Sequence, residues 1–186
     1  MRSRSYLARW AAIWSLLTCA AWPIERPAEA EDQLKCATVL AFLQNTHWLE
    51  QSAAGAPLTI GVVGRAAFFR GLTATIDAKS VEGRRLRVVQ LTAPVEAGCC
   101  QMVYFATDKP AEIKPVLQTF SSAHTLTIGE TDSFLDAGGA VNLFLADGHM
   151  AFEVSLASLN RAGIEISSKL LRFGQIRDLP RGRPAR

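Results

Sequence analysis

Between residues 32 and 50 (DQLKCATVLAFLQNTHWLE), Cys36, Val39, Leu40, Leu43 and His47 recur at helical spacing, the longest such pattern in the chain. Gln51 to Pro57 breaks it, and Leu58 to Val63 (LTIGVV), an apolar run closed by Gly64, predicts a buried strand. Arg65 to Ile76 predicts a short helix, and Arg84 to Leu91 a strand in which Arg85 and Arg87 alternate against Leu86 and Val88. Gln101 to Ala106 is almost continuously apolar, as a strand covered on both faces should be. Ile113, Val116, Leu117 and Phe120 follow at helical spacing, with Asp108 as the expected cap. Pro115 places the start of that helix close before it, because an interior proline costs about 3 kcal/mol.

Thr125 to Ile128 is a further strand, closed by Gly129. Ala140 to Ala146 and His149 to Ser155 flank Asp147-Gly148, a pair suited to a turn with two positive φ angles, so a β-hairpin is expected. Residues 156–162 predict a short helix stopped by Gly163, and Ser167 to Phe173 a last helical turn. Strands separated by helical segments and followed by an antiparallel hairpin imply an α/β, three-layer single domain. Its sheet should be mixed and mostly parallel, Rossmann-like, with the hairpin and short helices at the C-terminal end.

The chain begins differently. Arg2, Arg4 and Arg9 precede a 13-residue apolar run, Trp10 to Trp22, then Pro23 and the small-residue site Ala28-Glu29-Ala30. That order is read as a secretory signal over residues 1–30, cleaved near Ala30, since a spanning helix needs about 20 apolar residues. The expected product is an exported, periplasmic domain over residues 31–176 that does not itself span a membrane. A basic tail, residues 177–186, is expected to fray. The whole chain carries 20 basic and 17 acidic residues, and the leader holds four of the former and two of the latter, so the remainder is near neutral at +1. A nucleic-acid footprint is not expected on such a body.

Export also changes the cysteine count. Cys19 leaves with the signal, and Cys36, Cys99 and Cys100 remain as candidates for a disulfide or redox pair in an oxidising compartment. Cys99 and Cys100 are adjacent and too close to suit each other, whereas either with Cys36 would close a long loop. Three unpaired thiols are the alternative. No nucleophile elbow, phosphate-binding glycine loop or Cys-x-x-Cys is present, and His47, His124 and His149 are isolated from one another in sequence. No cofactor, metal or catalytic residue is therefore expected. Gly129 to Gly139 (GETDSFLDAGG) is the most suggestive loop, because open α/β sheets bind partners at the carboxyl ends of their strands. Gly64, Arg65, Thr107, Asp108, Glu130, Asp132, Phe134 and Asp136 form the candidate partner or ligand surface.

The sequence resembles the YfiR-like family of periplasmic proteins. The resemblance is carried by Ile60-Gly-Val-Val-Gly64, Val81-Glu-Gly-Arg84 leading into Leu86-Arg-Val-Val89, and Cys100-Gln-Met-Val-Tyr-Phe105. It continues through Thr125-Leu-Thr-Ile-Gly129, Phe134 with Gly138-Gly139-Ala140, and Ala162-Gly-Ile-Glu-Ile-Ser-Ser-Lys-Leu-Leu171. It implies an often dimeric, non-enzymatic regulator that holds a membrane-anchored diguanylate cyclase inactive by binding its periplasmic sensor region, thereby limiting cyclic-di-GMP and biofilm. Three positions depart from the family pattern: His47-Trp48-Leu49-Glu50 where relatives end the helix in Trp-Pro, Ser155 where they carry Asn, and Gly61 where some place a cysteine able to bridge to the residue matching Cys100. A family-type disulfide then needs Cys36 as substitute. A periplasmic small-ligand sensor, with ligand near Gly64, Thr107 and Glu130, and a thiol-dependent enzyme using Cys99 or Cys100 are the competing expectations.

Overall fold

A computed structural model describes residues 27–48, 55–92, 100–119 and 124–177. The expected leader as far as residue 26, Cys99, Phe120 and the expected tail from residue 178 lie outside the described residues.

Helix α1 (Pro27–Gln44) starts before the expected 32 and ends well before 50. Its last turn is closed by local side chains: Asn45 Nδ2 donates to Ala41 O at 2.9 Å and the Thr46 hydroxyl to Phe42 O at 2.6 Å. The chain then leaves as β1 (Thr46–Trp48), so the helical reading of His47 is corrected: its side chain is 60% exposed on a strand rather than on the apolar face of the helix. β2 (Leu58–Gly64), α2 (Ala66–Ile76), β3 (Ser80–Val81), β4 (Arg84–Leu91) and β5 (Met102–Ala106) follow. β3 and β4 form a tight hairpin through Glu82 and Gly83, both at positive φ.

Helix α3 (Pro110–Thr119) begins five residues before Pro115, which sits inside it. Its start is organised by Thr107, not Asp108: the Thr107 hydroxyl accepts from Lys109 N–H at 3.2 Å and donates to Glu112 at 3.1 Å. β6 (Leu126–Gly129), β7 (Val141–Ala146) and β8 (His149–Val154) come next, and the expected turn is present, with Asp147 at φ 51° and Gly148 at φ 77°. α4 (Leu156–Ala162) is capped by the Ser155 hydroxyl and stopped by left-handed Gly163. β9 (Ile164–Ile166), α5 (Ser168–Leu171) and β10 (Gln175–Ile176) complete the described chain.

Eight strands form one sheet in the order β10-β8-β7-β6-β5-β2-β4-β3, and β1 pairs with β9 apart from it. Only β7/β8 and β3/β4 are antiparallel in the large sheet, so it is mixed and mostly parallel, as the alternation of strands and helices predicts. Period-2 alternation sends the two faces into separate cores. Ile60, Val62, Met102, Tyr104 and Ile128 pack under α1 and α2, with Cys36, Phe42, Phe68 and Leu72. Val103 and Phe105 pack on the opposite face with Ile113, Leu117 and Phe134 from α3 and the 130–139 loop. These are the three layers. From β2 the chain crosses to β4 on one side, then returns to β5 on the other, so the topological switch lies between β2 and β5.

Candidate functional site

Gly64 ends β2 at that switch, where the backbones of β2 and β5 close on each other. Arg65 N–H donates to Ala106 O at 2.9 Å, and a Cβ on Gly64, which has φ +100°, would stand 2.3 Å from that same oxygen. Only glycine meets both demands. The turn places Arg65 over the carboxyl ends of the central strands, where Glu130 arrives from β6.

Glu130 is the centre of a charged cluster. Its carboxylate accepts from Lys35 Nζ at 2.8 Å, from the Tyr104 hydroxyl at 2.9 Å and from the Arg65 guanidinium, and its side chain is only 6% exposed. Arg65 also donates to Asp32 at 2.7 Å, and Lys35 pairs with Glu31 at 2.5 Å. Asp32, Lys35 and Glu31 all belong to α1, so the cluster fastens the first turns of that helix to the strand ends. Tyr104 is fixed in turn by stacking on Phe68, with ring centroids 4.1 Å apart.

The electrostatics hold Glu130, Lys35, Arg65 and Tyr104 in their present charge states. Burial pushes the Glu130 carboxyl upward, but hydrogen bonds from Arg65 and Lys35 outweigh it and leave its pKa below the ordinary value. Burial pulls Lys35 down, and its bonds to Glu130 and Glu31 more than restore it, leaving it raised. Arg65 is likewise raised by Glu130 and Asp32 against burial. Burial first, then the adjacent Glu130 charge, lifts Tyr104 well above its usual range. None of the four is poised to exchange a proton near neutrality, which suits a clasp and not acid–base chemistry.

The eight surface candidates therefore separate into unlike groups. Gly64, Arg65, Thr107 and Glu130 do meet around the switch. Asp108 is exposed beside α3. Asp132 is exposed, and Asp136 pairs with Arg177 at 3.5 Å. Phe134 is corrected from surface candidate to core residue: it is fully buried against Phe105, between Gly129 and Gly139, where an added Cβ on either glycine would meet its ring at 2.3 or 2.2 Å. Asp32, Lys35 and Tyr104 escape sequence reading, although a lysine inside the apolar stripe of a helix, next to Cys36, was a usable signal.

The described cysteines, Cys36 and Cys100, are buried in the two different cores. The sheet lies between them, so the Cys36–Cys100 pairing is not made. Burial, followed by the Asp32 charge, pushes the Cys36 thiol up to about 11, opposite to what thiolate chemistry requires. Among the described residues, no group of three or more His, Cys, Asp or Glu side chains converges to hold a metal, and no helix is long and apolar enough to cross a membrane.

Among solved structures, a conserved domain protein from Vibrio cholerae is similar with a TM-score of 0.53 at 13% identity, covering 78% of this chain. The chain spans 59% of that structure's length. The ABC domain in complex with L-Trp from Streptococcus pneumonia is similar with a TM-score of 0.49 at 11% identity, over 64% of this chain and 55% of that one. The first likeness supports the α/β fold alone. No curated protein matches. The profile described as YfiR/HmsC-like matches residues 32–175, from Asp32 of the clasp through both cores to the first residue of β10, and the chain belongs to that family.

Proposed function

We propose that this chain is an exported, periplasmic regulatory protein that restrains an inner-membrane diguanylate cyclase by contact with the enzyme's periplasmic sensor region, acting as a homodimer and not as an enzyme. The observation that carries the reading is the YfiR/HmsC-like match over residues 32–175. The cluster at the strand ends supports it, since Glu130, Lys35 and Tyr104 are committed to one another and the ligand position beside Arg65 is held by Asp32. The thiol-dependent reading is disfavoured at Cys100, which is buried in the smaller core, and Cys99 lies outside the described residues. The sensor reading at the same strand ends needs α1 to move first.

Affinity-tagged chain, expressed from its own locus and purified from solubilised envelopes, should bring down a membrane protein carrying a periplasmic region and a cytoplasmic diguanylate cyclase. Recovery of no such protein from a strain that contains the cyclase contradicts the reading.

A further inference from the structure

The two faces of the β7–β8 hairpin have different surroundings. Val141, Leu143, Phe152 and Val154 enter the larger core, while Asn142, Phe144 and Glu153 alternate to the other side. There they line an open cavity of about 410 Å³ together with Asp132, Leu145 and Arg177. The guanidinium of Arg177 is already engaged, donating to Glu153 Oε2 at 3.1 Å and to Asp136 Oδ1 at 3.5 Å.

Two acceptors in the cavity are not engaged. Asn142 is 4% exposed and its Oδ1 has no hydrogen-bond partner. The Asp132 carboxylate is exposed and makes no ion pair or hydrogen bond among the described residues. An acceptor buried without a donor is costly, so a ligand that supplies the donor recovers that cost. Both idle groups are acceptors, and Asp132, Asp136 and Glu153 outnumber the single arginine. An anion would meet this excess of carboxylates with only a paired guanidinium to receive it. Phe144 and the 41% exposed Leu145 add an apolar wall.

We propose that this cavity binds an alkyl cation, an ammonium or guanidinium on an aliphatic stem, which donates to Asn142 and Asp132 while the stem lies along Phe144 and Leu145. The cation can be a free diamine or polyamine, or the side chain of a lysine or arginine on another protein. The site stands independently of the cyclase reading.

The test is an NMR titration of the full exported chain, read at the Asn142 side-chain amide and the Phe144 backbone amide. Cadaverine represents the free amine and Nα-acetyl-lysine N-methylamide the protein side chain, each paired with its N-acetylated, uncharged counterpart. Saturable shifts with a charged probe and none with its neutral counterpart are expected, and the probe that binds more tightly identifies the source. D132N, at an exposed position that leaves the fold intact, and N142L, read at Phe144, should each weaken binding about tenfold, the loss of one charge-assisted hydrogen bond. No shift with either amine at millimolar concentration overturns the proposal. So does undiminished binding in both variants, which would reveal only diffuse attraction to an acidic surface.

Discussion

Glu130 matters because three donors converge on one buried carboxylate. Glu130→Gln removes the charge that Lys35, itself 8% exposed, depends on, and should cost about 3 kcal/mol in urea denaturation. Arg65→Ala should cost only about 1 kcal/mol, since that side chain is 42% exposed and solvent screens it. The lowered Glu130 pKa fixes the sign with pH: its stabilisation is present above the ordinary carboxyl value of 4.5 and fades as pH falls through the depressed folded value. Lys35, raised above 10.5, keeps its contribution below that value and loses it only as pH rises through the higher folded value. Thermal melts should therefore weaken at the acid end in the parent, and less so in Glu130→Gln. At pH 8, iodoacetamide should leave Cys36 and Cys100 unmodified until urea is added, as peptide mass spectrometry would read. Fast labelling of folded Cys36 would contradict its raised pKa. Lys35 was legible only as an oddity in an apolar stripe, because its partner Glu130 is 95 positions away and no local pattern joins them.

At the scale of elements, the strands of the sheet centre and the β7–β8 hairpin were legible because their signals are local: an apolar run, an alternation, Asp147 followed by Gly148. β1, β9 and β10 were not, being two or three residues long and stabilised by partners distant in sequence, such as His47 opposite Glu165. The β3–β4 turn was hidden for another reason: Glu82 occupies a positive-φ position that usually selects Asn, Asp or Gly. Phe134 looked like part of an acidic binding loop, yet Gly129 and Gly139 leave room for its ring and turn the loop into a lid over the smaller core. Phe134→Ala should accordingly cost about 3 to 5 kcal/mol in chemical denaturation, as for other large aromatic truncations in a closed core. A cost below 1 kcal/mol would mean that the loop does not seal that core. Gly64→Ala should cost about 2 kcal/mol or more, through both its φ and the 2.3 Å approach to Ala106 O.

For the whole molecule, the layered α/β architecture was readable from the order of apolar segments along the chain. What the sequence concealed is that the expected cleavage point lies inside the first turns of α1, one residue before Glu31, which pairs with Lys35 along the helix, and two before Asp32, which ties the helix to Arg65. Intact mass of the protein recovered from the periplasm should match a chain beginning at Glu31, leaving the clasp whole; a mass showing removal of Asp32 as well would contradict it. The central claim, restraint of a diguanylate cyclase, is tested most directly by intracellular cyclic-di-GMP in a strain carrying both proteins. Deleting this chain should raise cyclic-di-GMP, and restoring the exported protein should return it to the parental level. Unchanged cyclic-di-GMP on deletion, with the cyclase present, would contradict the account.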